Sequence, residues 1–270
     1  MYIRARFLVI MGCGSKKFEN VTYFESTKGV TGSCNAAICK CSDAVCQIRL
    51  DFTSFTITGP SSVTTTLNTK QLALNGVNTA GGGLASSDLT RCMIDQFSVT
   101  APGSQSSPVI CGINTGAHSK ITYVIVYLYL RILCIYAFPI LLTVYLDASD
   151  ECNTLSFHIG SASVNGASTR EWAIKITQYV CDSLNLAPDG CLQYYYGNTM
   201  GIVQTFNFEG GTHLANQNQN ICIRREKNQC RICYHTATAN DFAVSMKVNT
   251  PASTMAAMVG IGVSVRIIPI

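Results

Sequence analysis

Cys46-Gln-Ile48-Arg-Leu50-Asp-Phe52 sets apolar side chains at every second position, and Phe55 and Ile57 resume that alternation one place out of step before Gly59-Pro60 ends it. A period of two belongs to a strand with one face buried, and the slipped phase predicts a bulge. Working outward, Phe97 with Val99, Leu155 with Phe157 and Ile159, and Trp172 with Ile174 and Ile176 repeat the same period. Trp172 reads as core. Short strands joined by polar turns predict an all-β chain folded as an antiparallel sandwich.

Between these strands, Ser61 to Ser87 is dense in Thr, Asn, Gly and Ser and reads as loops with an edge strand. A second unit begins after Ala187-Pro188, where Gly190-Cys191-Leu-Gln-Tyr194-Tyr-Tyr196 opens an aromatic stretch. The expected organisation is a truncated or defective signal region at 1–19, a sandwich at 20–182 interrupted at 120–144, a partial second β module at 186–243, and a tail of low order at 244–270.

The chain has 270 residues, 47% of them hydrophobic and 13% charged, with a formal net charge of +4. Its Lys and Arg are scattered, so no electrostatic footprint for nucleic acid is present. Fourteen cysteines in a chain of this composition point to an oxidising compartment, hence to secretion. The sequon Asn20-Val-Thr22 agrees with that and makes Asn20 the candidate glycosylation site. The export signal itself is defective, because the apolar run Phe7 to Met11 is shorter than the roughly 7 to 15 residues of an h-region.

The blocks Cys34…Cys46-Gln-Ile-Arg-Leu-Asp-Phe, Cys92-Met-Ile-Asp95-Gln-Phe, Ser107-Pro108-Val-Ile-Cys111-Gly-Ile-Asn114-Thr-Gly-Ala-His118 and Arg170-Glu-Trp172-Ala-Ile-Lys-Ile-Thr-Gln-Tyr179 resemble the secreted CUB-domain proteins of animals. The stretch from Ala187 to Tyr194, with Cys222-Ile-Arg-Arg-Glu226, is similar to the related module that often follows. The resemblance implies a jelly-roll type sandwich with Cys92 bonded to Cys111; Cys34 with Cys46 and Cys181 with Cys191 are the preferred remaining pairs. Cys39, Cys41, Cys152, Cys222, Cys230 and Cys233 stay unassigned. It also implies a non-catalytic extracellular module that binds a protein or glycan partner. No cofactor is expected unless calcium is held by Asp95, the residue that matches the family's loop site, with Asp147 and Glu25 as its best available partners.

Ile121 to Leu146 carries one charge, Arg131, and reads as a transmembrane helix. A crossing there would put the strand at Cys46 and the strand at Trp172 on opposite sides of a bilayer, although both belong to one sandwich. A retained intron accounts for the segment. Ser119-Lys120 accommodates a GTAAG donor and Thr143-Val144 a CAG acceptor, and excision joins His118 through one Met or Ile to Tyr145. By this reading Cys134 and Cys13 are strays. The rival readings are a single-pass protein anchored by 121–146 and an ancillary domain of an extracellular protease.

Cys230-Arg-Ile-Cys233-Tyr-His235 has the spacing of half a zinc site, but no second pair follows it and disulfides are the simpler outcome. His118, His158, His213 and His235 lie in unrelated contexts, and no nucleophile signature occurs, so no enzyme is expected. Tyr194 to Tyr196 offer a binding surface or a core, and the run from His213 to Asn220 reads as a surface loop able to bind glycan or peptide through its amides.

Overall fold

The computed structural model describes residues 8–26, 30–60, 91–103, 107–116, 142–161, 170–197, 201–215, 217–228, 231–236 and 265–268. Fourteen strands are found among them. In chain order they are β1 (Ile10–Met11), β2 (Lys16–Lys17), β3 (Val21–Glu25), β4 (Gly32–Ile38), β5 (Val45–Thr56), β6 (Gln96–Thr100), β7 (Thr143–Asp147), β8 (Asn153–Ile159), β9 (Glu171–Val180), β10 (Cys191–Tyr195), β11 (Gly201–Val203), β12 (Asn220–Ile223), β13 (Cys233–Thr236) and β14 (Val265–Ile268). The described chain is all-β. No helix among the described residues is long and apolar enough to cross a membrane. The helix expected over the apolar insert lies outside the described residues up to 141.

Two sheets form the sandwich, a five-stranded one in the order β1-β3-β9-β5-β7 and a four-stranded one in the order β2-β4-β8-β6. Their inner faces are the alternating apolar positions. Phe24, Phe52, Phe55 and Trp172 of one sheet meet Phe97 and Phe157 of the other, all almost without solvent contact. Phe157 stacks on Trp172 at 3.8 Å between ring centroids. Such offset and edge contacts between rings each add about 0.5–1.5 kcal/mol beyond simple burial. The phase slip after Phe52 is a bulge, and the β5–β9 register shifts between Phe52 and Ser54.

Residues 10–17 contribute two short strands to the sandwich. Met11 is buried in the core, and β2 runs parallel to β4 with Lys16 beside Ala37. That places Cys13 against Cys34, and the two are bonded. The other four disulfides join Cys39 to Cys152, Cys46 to Cys181, Cys92 to Cys111 and Cys191 to Cys222. The pairs Cys34–Cys46 and Cys181–Cys191 are therefore replaced. The ladder gives the reason: Val45 pairs with Val180 and Ile38 with Asn153, so Cys46 meets Cys181 and Cys39 meets Cys152 without any bend of the backbone.

The last residues of the apolar stretch 121–146 belong to the sandwich. Leu142, Val144 and Leu146 are buried in its core, and Thr143 to Asp147 pair with β5. Their apolarity is strand burial, which a hydropathy window cannot distinguish from a membrane span.

After Pro188 the chain packs onto this sandwich. Phe206 and Leu214 join its core cluster. Asn207, at φ 59°, accepts the Ile113 N–H at 3.0 Å through its side chain, and its own N–H donates to Asn114 Oδ1 at 2.7 Å. Gly112 is required here, because a Cβ on it would stand 1.9 Å from Asn207 Oδ1. Within 244–270, where composition promises little order, β14 is the middle strand between β11 and β13.

Candidate ligand groove

A groove of about 250 Å³ lies where β5 and β7 meet the chain on either side of β10 and β12. Tyr145 and Asp147, two apart on β7, share one face of the sheet, and Gln47 of β5 stands opposite Asp147. Gln47 is held rather than free. Its Nε2 donates to the Ala187 carbonyl at 3.2 Å and its Oε1 accepts the Ala187 N–H at 2.7 Å, which fixes the turn leading to Gly190. The opposite wall is Asn218, Gln219 and Asn220. Asn220 Nδ2 donates to the Gly190 carbonyl at 3.2 Å, and the Cys191–Cys222 bond staples β10 to its parallel neighbour β12.

Behind the groove, aromatic and charged side chains bind this unit to the sheet. Tyr145 meets Tyr194 edge-on at 6.0 Å, and Tyr194 contacts Tyr196 at 5.2 Å. Arg49 lies 5.8 Å above the Tyr145 ring and pairs with Asp51 at 2.6 Å; Arg224 covers Tyr196 at 4.9 Å and pairs with Glu226 at 2.9 Å. Burial, with the neighbouring Tyr196, drives the Tyr145 hydroxyl far above its ordinary titration range despite the attraction of Arg49. Tyr145 therefore stays a neutral hydroxyl.

The groove wall is rich in unused acceptors. Asp147 is exposed, and Gln219 Oε1 is buried without a hydrogen-bond partner. The lining thus presents one carboxylate and several side-chain amides.

Two of the carboxylates expected to share calcium, Asp95 and Asp147, are apart. Asp95 has no solvent exposure, and its oxygens accept the Thr58 N–H at 2.8 Å, the Gly160 N–H at 3.0 Å and Arg170 Nε at 2.7 Å. Burial alone would raise its pKa, but the hydrogen bonds from Thr58, Arg170 and Gly160 outweigh that and hold it below the usual carboxylate value. Asp147 lies at the other end of β5, roughly 30 Å away at the rise of a strand. Glu25 ends β3 opposite Ala173. Asp95 and Asp147 are thus too far apart to share one cation, and no group of three His, Cys, Asp or Glu side chains placed to hold a metal occurs among the described residues.

Of the half zinc site, Cys230 lies outside the described residues, while Cys233 is unbonded and partly exposed. Asn20 is exposed at the turn into β3, with Thr22 buried beside it. Of the run from His213 to Asn220, Leu214 is buried in the core, Asn220 opens β12, and Asn218, Gln219 and Asn220 line the groove. Gln47 was not legible as a groove residue, because a polar position in an alternating strand reads as solvent-facing.

No curated protein matches this chain. The family model described as the animal CUB domain matches residues 188–265, the part that follows the sandwich rather than the part where the motif blocks are densest. That match supports a CUB-containing protein.

Proposed function

We propose that the chain is a secreted, non-catalytic interaction module that binds the glycan of an extracellular partner in the groove between β7 and Asn218–Asn220. CUB domains are generally non-catalytic and bind extracellular proteins, which supports the compartment and the class. The observation that supports a hydrogen-bonding ligand is the exposed Asp147 carboxylate in a groove also lined by the side-chain amides of Asn218, Gln219 and Asn220. Vicinal sugar hydroxyls supply paired donors to such acceptors. The one carboxylate disfavours acidic sugars.

The full secreted chain, applied to an array of neutral and sialylated glycans, should retain a neutral set. Asp147→Asn and Gln219→Leu should each weaken that retention by about tenfold, the loss of one good hydrogen bond. Retention of sialylated glycans alone, or of none, would sink the reading.

A further inference from the structure

Three cysteines gather at the end of β4. The pairing of β4 with β8 closes at Ile38 opposite Asn153, and the residues one step beyond, Cys39 and Cys152, are bonded. Past that bridge, Cys41 is exposed and unbonded. Two residues of chain span at most about 7 Å, so the backbone itself keeps Cys41 within disulfide reach of Cys39.

One buried side chain fixes the turn between them. Gln178 Nε2 donates to the Cys39 carbonyl at 2.9 Å, and Gln178 Oε1 accepts the Cys41 N–H at 2.9 Å. Cys41 is thereby held beside the bridge instead of trailing into solvent. Lys40, between the two cysteines, pairs with Asp150 across the same gap. Cys39 is buried, which shields its sulfur from dissolved thiols but not from one carried on the same turn. Cys152 stands at φ 77°, a left-handed conformation that an L residue rarely adopts and that its surroundings must impose.

We propose that Cys39-Lys40-Cys41 is a thiol–disulfide exchange site in which Cys41 attacks the Cys39–Cys152 bridge. The Cys41 thiol gives its proton to solvent and its sulfur attacks Cys39 Sγ. The Cys39–Cys41 bond forms as the Cys39–Cys152 bond breaks, and the departing Cys152 sulfur takes up a proton. One disulfide and one thiol stand on each side, so no oxidant or reductant is consumed. The exchange lets the backbone at Cys152 leave the left-handed region and uncouples the turn between β7 and β8 from the end of β4. It does not depend on what the groove binds.

The test is a tryptic map of the full secreted chain, held in mildly alkaline buffer without added thiol, quenched with acid and labelled with a maleimide. Cys152 should carry the label in part of the molecules. In a matching share, the peptides ending at Lys40 and beginning at Cys41 should stay linked through Cys39 and Cys41. Cys41→Ser, a change at an exposed side chain, should lower the labelling of Cys152 by about tenfold or more, because it removes the attacking sulfur. Label on Cys41 with none on Cys152 would overturn the proposal. So would labelling of Cys152 undiminished in Cys41→Ser, or Cys39 bonded to any cysteine other than Cys41 and Cys152.

Discussion

Asp95 and Arg170 form a closed ion pair at one end of the sandwich, 2.7 Å apart, with the carboxylate wholly out of solvent and Arg170 almost so. Removing one partner strands the other charge. Arg170→Met should cost about 3–5 kcal/mol of unfolding free energy, read from urea denaturation, whereas the double change Asp95→Asn with Arg170→Met should recover part of it. Equal losses for the single and double variants would show that the pair is not coupled.

The same carboxylate shapes the acid limb of stability. Its folded pKa is depressed, so its contribution is present above the unfolded value of about 3.9 and is lost as pH falls through the folded one. In Asp95→Asn the midpoint of thermal unfolding should fall less steeply between about pH 4 and pH 2 than in the parent. Parallel slopes would refute that assignment.

Gly112→Ala meets two penalties at once, a φ of +81° and the side chain of Asn207. We expect a loss of about 2–4 kcal/mol, from left-handed strain and the displaced amide together. Asn207→Ala should cost less, and Gly112→Ala in that background less again, as a thermal double-mutant cycle would measure.

Cross-links differ in the chain they enclose. Cys46–Cys181 spans 135 residues and Cys13–Cys34 spans 21. Loop entropy makes removal of the longer bridge by paired Ser substitutions the costlier by about 1–2 kcal/mol. Denaturant midpoints that rank the two in the opposite order would count against the entropic account for this chain.

Asn20 lies exposed at the entry to β3 and is open to an oligosaccharide. Chain secreted from animal cells should lose mass on endoglycosidase treatment, and Asn20→Gln should abolish the part of that loss due to this site.

Strands were legible because burial on one face writes a period of two into the sequence. Leu155, Phe157 and Ile159 point inward from β8, as Trp172, Ile174 and Ile176 do from β9. Even the bulge in β5 was legible, since it shifts the phase between Phe52 and Phe55. Bridges were not. Cys34 is 12 positions from Cys46 in the chain but beside Cys13 in space, and only the parallel pairing of β2 with β4 brings that about. The groove was half legible: Asn218 to Asn220 belong to an evident polar run, while Gln47, at a polar position of an alternating strand, reads as solvent-facing and is buried beside Ala187.

The bridge between Cys46 and Cys181 also sets how the chain answers force. It ties the start of β5 to the residue after β9, the two longest strands, which lie side by side in the sheet. A pull on the two ends of the chain passes through that covalent link and bypasses the chain it encloses, across a sequence separation of 135. On the order of 450 Å of extended backbone therefore stays hidden from tension. Only a reductant releases it, so tension can reach that length of chain where thiols are abundant and not in oxidising surroundings.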